Sequence, residues 1–155
     1  MTKAVRAKKR AKWIIRFDSA SFDLDRIHAW LADESYWAAG RTRDVFDESV
    51  RNSLCVGAFA AGRRQVGFAR LVTDYATFAW LCDVFVDEPF RGQGVSIAML
   101  DALMTRADLS TVKRFILATN DAHGLYERYG FRPIDAGRYM QRVNSAVSAP
   151  AGIPR

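Results

Sequence analysis

Apolar positions along the chain follow two different periods, which predict strands and helices in a mixed order. Short, mostly apolar runs bounded by Gly, Pro, Asp or Asn predict strands, whereas apolar residues spaced three or four apart predict amphipathic helices. The predicted strands are residues 13–17, 54–60, 65–73, 77–86, 114–119 and 138–143. The predicted helices are residues 24–33, 43–52, 95–106 and 121–129. This mixture of elements predicts an α/β domain.

The run over residues 77–86 is the longest predicted strand, and its nearly continuous apolar character is typical of a central strand. Because a helix and the strand at 114–119 follow it, we expect a right-handed parallel crossover. The strands at 54–60, 65–73 and 77–86 are joined by short turns and are expected to pair antiparallel. The predicted fold class is therefore α/β, with a mostly antiparallel mixed sheet, one parallel crossover and flanking helices.

The length and composition are those of one globular domain. The chain has 155 residues, of which 50% are hydrophobic, enough to form one core. No apolar run approaches the roughly 18 residues needed to span a membrane, and the basic N-terminus has no apolar segment behind it, as a secretory signal would. We expect a domain over residues 13–143, a flexible Ala/Pro/Ser-rich tail over residues 144–155, a cytoplasmic location and no membrane partner.

The formal net charge of +6 is concentrated at the N-terminus. Residues 1–12 hold six basic side chains and no acidic one, so the rest of the chain is formally neutral. A basic arm can contact nucleic acid or an anionic membrane surface, but it is more typical of a solvated terminus. We therefore expect a basic disordered tail over residues 1–12 and no nucleic-acid partner.

The two cysteines, Cys55 and Cys82, both lie inside apolar runs that are predicted as strands. Such positions are typical of buried, reduced thiols and not of a disulfide or a metal site. We therefore expect no metal here.

Residues 83–95 (Asp-Val-Phe-Val-Asp-Glu-Pro-Phe-Arg-Gly-Gln-Gly-Val) pass from an apolar strand through a glycine-rich loop into a helix. This order predicts an anion pocket, because loop N–H groups and the positive end of the helix dipole face the same point. A side chain at Gly92 or Gly94 would crowd a ligand held against the main chain. The dinucleotide fingerprint does not fit, since Ile97 stands at its third glycine, and the P-loop pattern does not fit either.

The same loop resembles the acyl-CoA signature [QR]-x-x-G-x-[GA] of the GNAT superfamily of N-acetyltransferases, through Arg91, Gly94 and Ser96. Ser96 departs from the usual Gly or Ala, and we expect the helix to approach the ligand slightly less closely there. A second segment, residues 125–131 (Leu-Tyr-Glu-Arg-Tyr-Gly-Phe), resembles the L-Y-E-x-x-G-F segment that closes many GNAT domains. Together with the strand order, the two motifs make the chain similar to GNAT enzymes over residues 13–143.

The resemblance implies an N-acetyltransferase that moves an acetyl group from acetyl-CoA to a primary amine of a small molecule or a peptide. Transfer would occur by direct attack in a ternary complex, without a covalent enzyme intermediate and without a metal. A homodimer through the last strands is also compatible with the family. Two alternatives stay open, namely transfer from a different acyl-CoA and an acyl-CoA-binding regulatory module with little turnover.

The resemblance also assigns residues to the acyl-CoA. The central strand would offer backbone groups to the pantetheine arm, the loop would surround the pyrophosphate with N–H donors, and Arg91 would add positive charge. Thr119 stands where many relatives carry an Asn that holds the pantetheine, and Asn120 follows it, so either side chain can serve. The expected acyl-CoA-binding residues are Val84, Phe85, Val86, Arg91, Gly92, Gln93, Gly94, Val95, Ser96, Thr119 and Asn120.

Tyr126, in the second motif, is the expected catalytic residue. A phenol near the sulfur can protonate or hydrogen-bond the departing CoA thiolate, and the alternative role is packing as half-buried core. Asp83 is an acid inside an apolar strand, so it must be paired, exposed at a cleft or raised in pKa. It is the first candidate for the general base or for binding a substrate ammonium, and the alternative is an ion pair with an arginine. Asp74 and His123 are the second and third candidates for the base.

In GNAT enzymes the acceptor pocket is lined by the first helices, their connecting loop and the central strand. Aromatic side chains in these segments can surround an aliphatic or aromatic amine, or they can fill the core. The expected acceptor-binding residues are Tyr36, Trp37, Asp74 and Tyr75.

Overall fold

A computed structural model describes residues 12–144 of the chain. Except for Lys12 and Asn144, the predicted basic tail and the predicted C-terminal tail lie outside the described residues. The strands are β1 (Ile14–Arg16), β2 (Leu54–Phe59), β3 (Gln65–Thr73), β4 (Phe78–Val86) and β5 (Arg114–Leu117). The helices are α1 (Leu24–Ala29), α2 (Arg43–Arg51), α3 (Val95–Met104) and α4 (His123–Glu127).

A local signal in the sequence explains where α1 begins. The Asp23 side chain accepts a hydrogen bond from the backbone N–H of Arg26 and so caps α1. The helix does not run on as a regular α-helix, because Trp30–Glu34 forms a π-helical turn. Ser35 ends this turn, and its hydroxyl donates to the carbonyl of Leu31 at 2.7 Å. The segment that follows leads into α2 and brings Tyr36, Trp37 and Arg41 toward the sheet.

The sheet confirms the predicted fold class. Its five strands lie in the order β1-β2-β3-β4-β5. The first three pairings are antiparallel, whereas β4 and β5 are parallel and are joined through α3. The loop that precedes α3 therefore leaves the carboxyl end of β4, an edge where ligands commonly bind open α/β sheets.

Two apolar clusters cover the two faces of this sheet. One packs α3 against the middle strands, with Met99, Leu100 and Leu103 fully buried. The other packs α1 and α2 against the opposite face around Phe46. A Cβ atom on Gly67 of β3 would come within 2.9 Å of the Val95 side chain, so glycine at this position allows α3 to approach the sheet closely.

The predicted last strand at residues 138–143 is wrong. Residues 139–144 have no regular secondary structure, and β5 is the last strand of the described chain. Met140 is 98% exposed and Val143 is 68% exposed. Their apolar surface is not buried and their backbone pairs with no neighbouring strand, so nothing stabilises an extended ladder here.

Candidate active site

A cleft opens where β4 and β5 separate. Their parallel pairing ends at Leu81 and Leu117, while β4 continues to Val86. Beyond this point the β5-facing backbone of β4 has no strand partner within residues 12–144. The resulting cleft has a volume of about 980 Å³ and is lined by β4 from Trp80 to Val86, by Arg91 beyond the strand and by Tyr126.

A β-bulge at Asp83 shapes the wall of this cleft. The β3–β4 register shifts between Phe68 and Arg70, and Asp83 has a φ of 54°, in the left-handed region. Ala79 and Leu81 before the bulge, and Val84 and Val86 after it, all contact the α3-side core. The extra residue therefore turns Asp83 away from α3 and toward the face that carries α1 and α2.

On that face Asp83 binds two arginines. Arg41 donates to both carboxylate oxygens, at 2.6 and 3.2 Å, and Arg70 Nε donates to Oδ2 at 2.6 Å. The Asp83 side chain is only 2% exposed. Burial raises the pKa of Asp83, but the hydrogen bonds and charges of Arg41 and Arg70 outweigh burial and lower the pKa below its ordinary value. This geometry favours the ion-pair alternative over a general base, because a carboxylate held by two cations accepts a proton poorly.

The glycine loop has the backbone conformation that an anion site requires. Gly92 and Gly94 have φ values of 70° and 82°, and a Cβ at either would meet no atom within 4 Å. Backbone conformation, and not packing, therefore favours glycine here. Among the described residues, none accepts a hydrogen bond of normal geometry from the N–H groups of residues 92–96. The start of α3 thus presents unused donors.

Two side-chain hydrogen bonds anchor the loop. Trp13 Nε1 donates to the carbonyl of Gln93 at 3.2 Å, and Gln93 Nε2 donates to the carbonyl of Pro89 at 2.9 Å. Arg91 lies at the end of the cleft, where its Nε donates to the carbonyl of Val86 at 3.0 Å and its guanidinium lies over the Phe85 ring. The residues that follow Arg91 do not line the cleft themselves and lie just past this end of it. They are Gly92, Gln93, Gly94, Val95 and Ser96.

Tyr126 lies in the cleft wall opposite β4. The residue is 8% exposed, and its hydroxyl hydrogen-bonds to no residue within 12–144. Burial, with smaller contributions from Tyr36 and Asp121, raises the pKa of Tyr126 to about 12. The phenol therefore stays protonated at neutral pH and has a hydrogen bond available for a ligand.

The β5–α4 loop contributes Thr119 and Asn120 to the same cleft. Thr119 Oγ1 accepts a hydrogen bond from the N–H of Ala122 at 3.1 Å and so holds the start of α4. The backbone N–H of Asn120 donates to the hydroxyl of Tyr36 at 3.2 Å, which joins this loop to the segment before α2. The Asn120 side chain has no hydrogen-bond partner in the described chain, so of the two it is the better placed for a ligand contact.

Two of the expected acceptor-binding residues lie in the cleft and two do not. Tyr36 and Trp37 line it and contact each other edge to face, and the buried Trp37 Nε1 has no hydrogen-bond partner within residues 12–144. Asp74 and Tyr75 lie in the exposed β3–β4 turn, outside the cleft lining. Hydrogen bonds from the Thr77 hydroxyl and from turn N–H groups lower the pKa of Asp74. Asp74 therefore organises this turn.

The remaining titratable groups are not suited to chemistry in the cleft. His123 is exposed at the start of α4 and does not line it. Both thiols are free, but only Cys55 is buried as expected, whereas Cys82 is half-buried and lines the cleft. Burial raises the pKa of Cys55 to about 12 and that of Cys82 to about 11, so both thiols stay protonated at neutral pH. Within the described ranges no group of three or more His, Cys, Asp or Glu side chains is arranged to hold a metal ion.

Arg70 is the residue that motif reasoning missed. It is a charged residue inside the apolar strand β3, just as Asp83 is a charged residue inside β4, and a short turn joins these antiparallel strands. The register pairs Arg70 with Cys82, and the bulge places Asp83 within reach of Arg70. The available signal is one isolated charge of each sign in two adjacent apolar strands, because isolated charges are rarely buried without a partner. No helix of residues 12–144 has the length and apolar character needed to cross a membrane.

Comparisons with known proteins show a family to which this chain is similar. The family model described as "Acetyltransferase (GNAT) domain" matches residues 52–133. A Gibberella zeae protein named "putative acetyltransferase" is 26% identical, over 76% of this chain and 77% of that protein. A crystal structure from Xanthomonas campestris pv. campestris, described as a "putative acetyltransferase belonging to the GNAT family", is 42% identical with a TM-score of 0.82 and covers 86% of this chain and 94% of that one.

A more distant structure shares the fold. Glucosamine-6-phosphate N-acetyltransferase from Arabidopsis thaliana is 14% identical, with a TM-score of 0.60, and covers 86% of this chain and 99% of that one. The five-stranded sheet with its parallel β4–β5 pair is therefore an architecture that this chain shares with acetyltransferases.

Proposed function

Because this chain belongs to the GNAT acetyltransferase family, we propose that it transfers an acetyl group from acetyl-CoA to a primary amine. The observation that carries this proposal is the convergence of three features on one cleft. Unpaired backbone of β4 forms one wall, the glycine loop with its unused N–H donors follows Arg91 at one end, and Tyr126, whose hydroxyl has no partner among the described residues, also lines the cleft. Each feature suits a different part of an acyl-CoA thioester.

The residues present fit acetyl-CoA, which supplies the acetyl group in activated form as a thioester. We infer that the backbone of Val84, Phe85 and Val86 pairs with the pantetheine arm as an added strand would. Asn120 supplies a further hydrogen bond from the opposite wall. Arg91 Nε donates to the Val86 carbonyl, so we infer that pairing with the pantetheine shares or releases this hydrogen bond. The Arg91 guanidinium then contributes positive charge to phosphate binding.

The loop residues Gly92, Gln93, Gly94, Val95 and Ser96 bind the pyrophosphate through their main chain. Their N–H groups and the dipole of the ten-residue helix α3 supply partial positive charge without any side chain. The Val95 side chain is buried in the core, so only its backbone takes part. Ser96 has a small side chain at a position where a larger one would crowd the phosphate.

Tyr126 acts as the acid in the transfer. As the amine forms its bond to the acetyl carbon, the bond to sulfur breaks, and the Tyr126 hydroxyl donates its hydrogen bond or proton to the departing thiolate. A pKa of about 12 keeps the phenol in the donating form. We infer that Asp83 serves as a positioning residue for Arg41 and Arg70, so the ammonium proton of the acceptor leaves by another route, such as solvent.

A direct test measures release of the CoA thiol by the purified protein with acetyl-CoA and a mixed set of primary amines, with mass spectrometry of the products. We expect amine-dependent thiol release and N-acetylated products. Faster release with a longer acyl-CoA would replace the acetyl donor in the proposal. Binding of acetyl-CoA without transfer to any amine would contradict it and favour a regulatory binding module.

A further inference from the structure

Around the buried Asp83, the wall of the cleft carries more positive than negative charge. Arg41 and Arg70 share the single carboxylate of Asp83. The two guanidinium side chains are 16% and 14% exposed and the carboxylate side chain is 2% exposed. Two cations against one anion leave one uncompensated positive charge in a largely desolvated place, where an unpaired charge is costly.

The two guanidiniums also have unused hydrogen-bond donors. Each carries five N–H donors. Together they form three hydrogen bonds to Asp83 and one, from Arg70, to Ser53 Oγ. No other described side chain or carbonyl accepts from either guanidinium. Both side chains line the cleft, so the unused donors are available on its side.

The position of these arginines separates them from the proposed acyl-CoA path. Arg70 lies on β3, whereas the pantetheine is proposed to lie along the edge of β4 that faces β5. Arg41 follows the aromatic segment that contains Tyr36 and Trp37, which lines the same region of the cleft. The surplus charge therefore belongs to the acceptor side of the cleft.

The other charged residues of the cleft do not neutralise it. Glu34 is exposed and forms no ion pair with any residue of the described chain. Asp121 is exposed in the β5–α4 loop, on the Tyr126 side. Arg91 is also basic and lies at the far end, where it binds the Val86 carbonyl. The cluster of Arg41, Arg70 and Asp83 thus remains a cationic site with a net charge of one.

We infer that the amine acceptor carries an anionic group, a carboxylate or a phosphate, which binds to Arg41 and Arg70 on the acceptor side of the cleft. This inference rests on the proposed function and specifies its substrate class. Planar guanidiniums bind either a carboxylate or a phosphate through paired hydrogen bonds.

The strained backbone of Asp83 supports the inference, because residues kept in unfavourable conformations cluster at functional sites. The orphaned Trp37 Nε1 donor lies in the same part of the cleft.

The test compares primary amines in matched pairs that differ only in the anionic group. The pairs are 3-aminopropanoate against 3-aminopropanamide, and 2-aminoethyl phosphate against 2-aminoethanol. Transfer from acetyl-CoA is followed by thiol release, and binding is followed by the melting temperature of the protein with acetyl-CoA present. We expect kcat/KM for at least one anionic member to exceed that of its neutral partner by about 10-fold or more. The pair that shows the preference identifies carboxylate or phosphate.

Arg41→Gln removes the surplus charge while Asp83 keeps its hydrogen bond to Arg70, so this variant retains a compensated carboxylate. It should reduce the ratio of anionic to neutral kcat/KM to near one. The matched control is Arg51→Gln on the exposed surface of α2, which should retain the ratio of the unmodified protein.

The outcomes separate this inference from the proposed function. Transfer to neutral amines as fast as to anionic ones would overturn the inference and leave the acetyltransferase activity established. An anionic preference that persists in Arg41→Gln would also overturn it. Binding of acetyl-CoA without transfer to any amine, and without a rise in melting temperature from any anionic amine, would overturn both.

Discussion

Arg41 and Asp83 are 42 residues apart in sequence, and the Arg41 guanidinium donates two hydrogen bonds, of 2.6 and 3.2 Å, to the Asp83 carboxylate. Arg70 completes the cluster with a third bond at 2.6 Å. These contacts tie the segment before α2 to β4 at the point where the cleft begins. This ion-pair cluster therefore holds two distant segments of the domain together and also lines its candidate active site.

Asp83→Asn should destabilise the protein substantially. It removes the only carboxylate of the cluster and leaves two half-buried guanidiniums without a counter-charge, a change that costs about 3 kcal/mol or more in the free energy of unfolding. Urea unfolding at neutral pH measures the difference. Asp108→Asn is the matched control, because Asp108 forms an exposed pair with Arg106, and it should have a much smaller effect.

The pH dependence of stability gives a second readout of the same pair. The folded pKa of Asp83 is lowered, so its contribution is fully present above the unfolded pKa of about 3.9 and is lost as the pH falls through the folded value. The unmodified protein should therefore lose more stability than Asp83→Asn when the pH is lowered below about 4. Equal losses in the two proteins would show that Asp83 is not stabilised as a carboxylate.

Tyr126→Phe should lower kcat by about 100-fold, because it removes the proposed proton donor to the departing thiolate. The dissociation constant of acetyl-CoA should change little, since the ring remains in place. Tyr129→Phe is the matched control. The single proton of the Tyr129 hydroxyl lies within hydrogen-bond reach of the Asp101 carboxylate and the Ile97 carbonyl, so its loss reduces stability but leaves kcat unchanged. A Tyr126→Phe enzyme with normal kcat would leave Tyr126 with a packing role only.

The pH profile of kcat tests the same residue without a substitution. Burial disfavours the phenolate, so the proton-donating form of Tyr126 is present below a pKa of about 12 and is lost only as the pH rises through that value. We expect no alkaline loss of kcat due to Tyr126 up to about pH 10. A decline centred near pH 9 that disappears in Tyr126→Phe would contradict this.

The parts of the structure that sequence could predict are those encoded locally. The strand, glycine loop and helix of residues 83–95 follow from apolar pattern and glycine placement, and β4–α3–β5 is the parallel crossover that this order predicts. Tyr126 was identified through its motif and lies in the cleft wall. Its catalytic role stays a prediction.

The rest depends on contacts between distant segments. An alternating pattern cannot show the bulge at Asp83, where one extra residue reverses which side chains face α3. Arg70 reaches Asp83 from the adjacent strand β3, whereas Arg41 comes from the segment before α2. The contact of Arg41 therefore depends on the packing of α1 and α2 on the sheet. The predicted strand at 138–143 failed for the same reason, since a strand needs a neighbour that local sequence does not specify.

The proposed transfer requires acetyl-CoA to bind at the glycine loop, and a melting-temperature titration tests this binding most directly. The comparison uses the unmodified protein, Gly94→Ala and Gly62→Ala. Both glycines have positive φ, and a Cβ on either meets no protein atom within 4 Å, so both variants carry similar backbone strain. Only Gly94 lies in the proposed phosphate site.

Acetyl-CoA at about 100 times its dissociation constant should stabilise the unmodified protein by about 2.7 kcal/mol. We predict a similar rise in melting temperature for Gly62→Ala and a much smaller one for Gly94→Ala. No rise in the unmodified protein, or equal rises in the two variants, would contradict the assignment of the loop as the acyl-CoA site.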